Sequence, residues 1–161
     1  MGIKDKKIEN FLEELSSKSP TPGGGAVAAL SGAMAVSLVE MVINITKDGE
    51  LRAKNLNKVR KLRTELLKLA DEDVSAFDEV MAAYRSKSKT RIKKALGYAT
   101  EVPEKTKALC NEVELLAREV VKYGNKNALS DAKTAVLLSR AAQASAEENI
   151  KINKEAIAEL K

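Results

Sequence analysis

The sequence predicts an all-α protein: one domain, residues 1–161, folded as a bundle of about five helices and assembled into an oligomer. Three observations predict it. Apolar residues make up 44% of the 161 positions and aromatics only 3%, so the core has to be built from Ala, Leu, Val, Ile and Met, the mix that packs between helices. Apolar positions recur at three- and four-residue spacing over long stretches, with no strand-like alternation of any strength. Breaks rich in proline, glycine or polar residues separate these stretches.

Each element follows from its own pattern. Lys4–Ser16 reads as a short amphipathic helix with Ile8, Phe11, Leu12 and Leu15 on one stripe, ended by two prolines and three glycines in Ser17–Gly25. Ala26–Thr46 is the most apolar segment. Glu40, Asn44, Ser31, Gly32 and Ser37 argue for a buried helix rather than a membrane span, and Ala28, Gly32 and Ala35 let a second backbone approach closely. Glu50–Arg85 is a long periodic helix. Arg91–Lys122 is helical with a kink expected at Pro103. Gly124-Asn125 ends it. The last helix, about Ser130 to Lys161, carries a heptad-like seam from Leu129 through Ala132, Val136, Ser139 and Gln143 to Leu160. An apolar helix of this length is hard to bury with so few partners. Oligomerisation through Ala26–Thr46 and the last helix is therefore expected.

Charge and residue absences narrow the chemistry. The chain has 28 basic and 23 acidic residues, a net +5, and no histidine. The excess suits an anionic ligand and fits nucleic acid only weakly. Proton transfer near neutral pH falls to Asp, Glu, Lys, Tyr, Cys, backbone or water. Histidine-based nucleophilic catalysis and a His-ligated zinc are excluded. With Cys110 as the single cysteine, no intrachain disulfide forms and a cytoplasmic location is expected. Met1–Phe11 is charged and lacks the apolar core of a secretory signal.

Five constellations bear on function. Pro20-Thr21-Pro22-Gly23-Gly24-Gly25 enters a long helix, where unpaired amides and glycines let an anion or oxyanion come close; the plain alternative is a helix-start loop. Gly124–Asp131 gathers amides and a carboxylate at another helix start; the simpler reading is helix capping by Ser130 or Asp131, which alone explains both residues. Glu40 is the lone charge in Ala26–Thr46, either a general acid with a raised pKa or one half of an ion pair. Arg85, Lys87, Lys89, Arg91, Lys93 and Lys94 form a basic run whose simplest reading is a solvated corner. Asp71–Asp73 with Asp78-Glu79 reads as a solvated acidic face.

The order of these motifs resembles the formiminotetrahydrofolate cyclodeaminase / methenyltetrahydrofolate cyclohydrolase family. The resemblance rests on Ser19–Leu30 (SPTPGGGAVAAL), Asp73-x-x-Ala76-Phe77, Ala99–Pro103 (ATEVP), Gly124–Asp131 (GNKNALSD) and Asn149-Ile150-x-x-Asn153. It implies an all-helical, oligomeric folate enzyme that makes or opens 5,10-methenyltetrahydrofolate. The implied activity is the cyclodeaminase, which expels ammonia from the 5-formimino derivative. The alternative is the cyclohydrolase, which adds water to the methenyl carbon, and the rival from another class is a non-catalytic oligomerisation or nucleic-acid-binding module. No metal or cofactor is implied beyond the tetrahydrofolate substrate. The expected pocket lies between subunits of a homodimer or larger oligomer, away from any membrane. Asp131 and Glu40 are the candidate catalytic residues. Pro22, Gly23, Gly24, Gly25, Asn125, Asn127 and Ser130 are the candidate binding residues.

Overall fold

The computed structural model describes residues 2–47 and 49–160. A 3₁₀ turn at Ile3–Asp5 leads to α1 (Ile8–Leu15), α2 (Gly24–Ile45), α3 (Gly49–Arg85) and α4 (Lys89–Tyr123). A second 3₁₀ turn, Lys126–Ala128, precedes α5 (Leu129–Glu159). No strand occurs among the described residues. Lys161, the expected end of the last helix, lies outside them.

Helices α2 to α5 alternate in direction. Glu40 on α2 pairs with Arg60 and Arg63 on α3, while Gly25 lies against Asp73 further along α3. Lys54 and Lys58 on α3 meet Glu119 and Glu112 on α4. Glu114 and Glu104 on α4 meet Arg140 and Lys154 on α5. In each pair one number rises as the other falls, so neighbours are antiparallel. Helix α2 packs on α3 and α5, and α4 closes the far side against the same two.

The core explains why α2 is so apolar. Val36, Val39, Val42 and Ile43 are fully buried against Val59 and Leu66 of α3 and Cys110 and Val113 of α4. Each such side chain contributes roughly 1.5–3 kcal/mol. The expected close approach is present. Ala28, Gly32 and Ala35 are buried, and a Cβ on Gly32 would sit 2.5 Å from Cys110 Sγ. Burial pushes the Cys110 thiol up to about 12, so it is an inert packing group. Helix α2 is long and apolar enough to cross a membrane, but it is the core helix of this bundle, with 61% of its most apolar window buried.

The helices differ in length, and this shapes the molecule. Helix α2 has 22 residues, whereas α3, α4 and α5 have 37, 35 and 31. The three long helices overrun the start of α2 by about 15–18 Å at 1.5 Å per residue. The overhang has its own small core of Val80, Ala83, Ile92, Ala95 and Leu96, with Ala156, Ile157 and Leu160 against it. A step remains where α2 begins.

Three local expectations change. Helix α4 runs unbroken through Pro103. Proline has no N–H for the carbonyl four residues back, and that acceptor, Ala99 O, receives Asn153 Nδ2 from α5 at 2.8 Å. Neither Ser130 nor Asp131 caps α5. Its N-cap is Ala128 without a side-chain bond, and Asn125 Oδ1 instead accepts Asn127 N–H to cap the preceding 3₁₀ turn. The α5 seam is used inside the bundle against α4, where Gln143 donates to Glu114 Oε2 at 2.9 Å.

Candidate active site

The step at the head of α2 is made by a helix that starts beside the middle of another. Gly23 is the N-cap and offers no side chain, so the first-turn amides lack a local acceptor. The Asp73 carboxylate of α3 supplies one and accepts the Ala26 N–H. Gly25 has to be glycine here, because a Cβ would overlap the Asp73 carboxylate. The Thr21–Pro22 peptide bond is cis, and Pro22 is buried.

Helix α5 forms the opposite wall. Ser145 Oγ donates to Gly24 O at 3.4 Å, and Asn149 Nδ2 donates to Ser145 O at 2.9 Å. A Cβ on Gly24 would stand 3.6 Å from Asn149 Nδ2, so Asn149 overlooks the glycines. Above the step, Phe77, Met81 and Tyr84 follow Asp73 at spacings of four, four and three residues on one face of α3. Met81 and Tyr84 are exposed, as is Ile152 on α5. The floor thus has backbone amides and a carboxylate, and the wall has apolar and aromatic surface, the mixture typical of ligand sites.

Asp73 is the chemically distinctive group. Among the described residues it has no cationic partner. Burial pushes its carboxyl up from the ordinary value, more than the Ala26 N–H pulls it down. A carboxyl held this way exchanges a proton closer to neutral pH than an exposed one.

Glu40 is the reverse case and corrects an expectation. It is buried, but it receives Arg60 Nε at 2.8 Å and Arg63 Nη1. Burial pushes its carboxyl up, yet the hydrogen bonds and charges of the two arginines outweigh that and hold it below the usual carboxylate range. It is an ion-pair anchor between α2 and α3 and a poor proton donor.

The second expected motif lies elsewhere. Asn125 donates its N–H to Thr46 Oγ1 at 3.0 Å and its Nδ2 to Ile45 O at 2.8 Å, both at the tail of α2. Within one chain, Pro22–Gly25 and Asn125, Asn127, Ser130 and Asp131 therefore sit at opposite ends of α2, roughly 30 Å apart by its length. Asn127 and Ser130 are exposed and Asp131 is half-buried. Sequence reasoning missed Asp73 as a site residue, along with Phe77, Tyr84 and Asn149. The motifs Asp73-x-x-Ala76-Phe77 and Asn149-Ile150-x-x-Asn153 carried the signal for Asp73, Phe77 and Asn149, and nothing in the sequence marked Tyr84.

Fold and site together define an all-helical domain whose glycine-rich helix start is set against a partly buried carboxyl. Comparison with known proteins gives this class a family. Residues 7–161 match the family model described as formiminotransferase-cyclodeaminase. The chain belongs to that family. It is 42% identical to the methenyltetrahydrofolate cyclohydrolase of Methylorubrum extorquens, over 92% of this chain and 79% of that protein. It is 26% identical to the formimidoyltransferase-cyclodeaminase of Rattus norvegicus, over 83% of this chain but 28% of that longer protein. The crystal structure of formiminotetrahydrofolate cyclodeaminase from Thermotoga maritima superposes with a TM-score of 0.89 at 31% identity, covering 96% of this chain and 81% of that one.

Proposed function

We propose that this protein is a folate one-carbon enzyme that opens 5,10-methenyltetrahydrofolate by adding water. The carrying observation is the step at the start of α2, where the Gly23–Gly25 backbone, the partly buried Asp73 carboxyl and the Asn149 amide meet beside an apolar wall. The 42% identity to a methenyltetrahydrofolate cyclohydrolase favours water over ammonia as the reacting group. Ammonia loss from 5-formiminotetrahydrofolate is the second reading, and the fold shared with the cyclodeaminase of Thermotoga maritima supports it.

The residues fit the chemistry. The methenyl carbon is the centre of an amidinium cation between two nitrogens. Water adds there and loses a proton to leave a neutral hydroxyl on that carbon; the carbon–nitrogen bond to one nitrogen then breaks as that nitrogen takes a proton, and the hydroxyl gives up its own proton as the carbonyl forms, so that one proton is released overall. Asp73 can accept the first proton and return it to the nitrogen. Its carboxylate also offsets the positive charge of the substrate. The amides of Gly24 and Gly25 can stabilise partial negative charge on the oxygen as its hydroxyl proton leaves and the carbonyl forms.

The pocket is completed by a second copy of the chain. Val27, Leu30, Met34, Leu38, Met41 and Ile45 form a stripe on the outward face of α2, with Met34 and Ile45 exposed. A groove of about 530 Å³ along it is lined by Leu30, Met34 and Leu38 with Leu67 and Leu138. Such a face on a globular chain calls for a partner. An antiparallel copy, related by a two-fold axis, brings Asn125 and Asp131 of the partner subunit towards the Gly23 step. This is the arrangement in which the two glycine- and asparagine-rich motifs serve one site. Met34→Glu is expected to give monomers by analytical ultracentrifugation and to lose turnover; a dimeric, active variant would refute the shared pocket.

The reaction is tested by absorbance. Purified protein should speed the decay of 5,10-methenyltetrahydrofolate. An enzyme-dependent appearance of the same absorbance from 5-formiminotetrahydrofolate selects the second reading. No change with either substrate overturns both.

A further inference from the structure

The chain ahead of α2 grips the same helix that carries Asp73. The 3₁₀ turn Ile3–Asp5 sits on α3, and its Ile3 N–H donates to Asp71 Oδ1 at 2.5 Å. Glycine at position 2 makes room for this bond, since a Cβ there would stand 2.6 Å from Asp71 Oδ2. The head of α2 is held in the same way two residues further along α3. Ala26 N–H donates to Asp73, and Gly25 leaves space for that carboxylate. Asp71 and Asp73 thus each take a backbone amide that follows a glycine. Two residues apart on a helix, they point in different directions, so the two segments close on α3 from separate sides. Asp71 and Asp73, read from the sequence as part of a solvated face, are here a pair of backbone clamps.

A small core joins the two clamps. Ile3 is buried in one cluster with Ala26 and Ala29 of α2, Leu69, Ala70 and Ala76 of α3 and Val102 of α4, and Phe11 packs against it. Four of these residues are alanines, which leave space that a longer side chain has to fill. Ile3 supplies it. Helix α1 adds little grip of its own. It has eight residues, none of them fully buried, and a helix that short does not hold itself in water. Lys6 pairs with Glu14, so turn and helix form one strap. The strap is pinned by the Asp71 bond, by Ile3 and by Phe11, and the last two press on the cluster that contains Ala26 itself.

We propose that Asp71 is a positioning residue: by pinning the strap of residues 2–15 against α2 and α3, it fixes the Gly23–Gly25 head in register with Asp73. Asp71 touches no substrate and acts through Ile3 and the first turn of α2. The inference rests on Asp73 as the proton carrier of the reaction proposed above. A reacting group misplaced by about 1 Å can cost about 100-fold in rate. The apolar wall of Phe77, Met81 and Tyr84 lies further along α3, beyond the strap, so substrate binding changes less than turnover.

Steady-state turnover of 5,10-methenyltetrahydrofolate and hydrogen exchange of the free full-length protein test this together. In Asp71→Ala, kcat should fall about tenfold, with KM within threefold of wild type. Peptides covering residues 3–15 and 24–30 should both exchange faster, and those covering the tail of α2 should not. Asp71→Asn keeps an oxygen for the Ile3 N–H and should bring both readings back to within twofold of wild type. Gly2→Ala crowds the Asp71 carboxylate from the other side and should give the same pattern in weaker form; it carries the test should Asp71→Ala fail to fold. A strap that exchanges faster while the head of α2 and kcat keep wild-type values would overturn the proposal. So would a strap unmoved in Asp71→Ala, or a kcat that Asp71→Asn does not restore. The exchange reading needs no substrate, so the two readings fail separately. Wild-type turnover in Asp73→Asn sinks the proton carrier and leaves the coupling to be read from residues 24–30. Wild-type kcat in Asp71→Ala beside an inactive Asp73→Asn sinks the positioning role alone.

Discussion

The two ends of α2 are built to opposite specifications. At its tail the chain ties itself down: Ile45 O and Thr46 Oγ1 receive Asn125, and Asn125 Oδ1 in turn receives Asn127. At its head, the cap is a bare glycine and the compensating group is a carboxyl drawn from another helix, with no cation to balance it. The same contrast appears in the two carboxyls that touch α2. Glu40 is clamped by two arginines and Asp73 by none. A protein that needed α2 only as a core helix would have finished both ends alike. Leaving one end short of partners costs stability, and sites of chemistry are where such costs concentrate.

The largest expected effect follows from this. Asp73→Asn keeps an oxygen to accept the Ala26 N–H, so helix content by circular dichroism should not change. Turnover of 5,10-methenyltetrahydrofolate should fall about 100-fold or more, the usual worth of a positioned proton carrier. Stability should move the other way. The folded-state pKa of Asp73 lies above its ordinary value of 3.8, so the ionised group costs the folded state stability at all pH above that raised value. The cost fades as pH falls back towards 3.8. An uncharged asparagine escapes it, and the variant should melt higher than wild type at pH 7. Turnover within threefold of wild type would remove Asp73 from the chemistry.

Gly25→Ala attacks the same end by size. Its Cβ needs the space that the Asp73 carboxylate fills, so either the carboxyl or the start of α2 must shift. Overpacking of this kind costs about 1–3 kcal/mol, and turnover should drop with it. At the other end, Asn125→Ala removes the bonds to Ile45 O and Asn127 N and should cost about 1–2 kcal/mol. The interesting readout is activity at saturating substrate. A loss in Asn125→Ala that a stabilised dimer does not restore would indicate that the tail of α2 reaches the step of the partner subunit.

How much of this was legible in the sequence depends on the range of the interaction. The helices follow from local periodicity, and the Gly23–Gly25 head from three glycines placed before an apolar run, so both could be read directly. Periodicity alone does not tell Asp73 from Asp71 and Glu72, since its burial depends on where a helix fifty residues away begins, and only the Asp73-x-x-Ala76-Phe77 motif singles it out. The Asn125 segment looked like a ligand cradle because its amides have no partner in sequence, and those partners, Ile45 and Thr46, lie about eighty residues off. Glu40 stayed open for the same reason: a lone acid in an apolar run reads as a general acid or as half of an ion pair until Arg60 and Arg63 of the next helix come alongside and make it the latter.

Glu114 sharpens the contrast between clamped and free carboxyls through pH. Burial raises its carboxyl, but Arg140, Gln143 and Arg118 outweigh this and bring it down to about 2 from 4.5. A lowered folded-state pKa means that its contribution is present above pH 4.5 and lost as pH falls towards 2. The arginines are about half exposed, so the effect is modest, about 1–2 kcal/mol. Thermal melts of Glu114→Gln should lie below wild type at pH 7, by about 2–4 °C per kcal/mol, and converge with it between pH 4.5 and 2. A gap that stays constant with pH would mean that the carboxylate charge is not the source.

The smallest effect tests whether a polar group near the open end is structural. Asn153 exists on α5 because Pro103 interrupts the α4 ladder. Without an N–H at position 103, Ala99 O has no helical donor, and Asn153 Nδ2 takes its place. Asn153→Ala should therefore cost about 1 kcal/mol, the low end for a half-buried unpaired carbonyl. Pro103→Ala restores the helical donor, so in that background the same change should cost close to nothing. Measured by denaturant unfolding, the cycle gives the coupling between the two positions directly. Two independent costs that simply add would show that Asn153 is held there for something other than the proline, and the most direct alternative is a ligand in the step one turn away, where Asn149 faces Gly24.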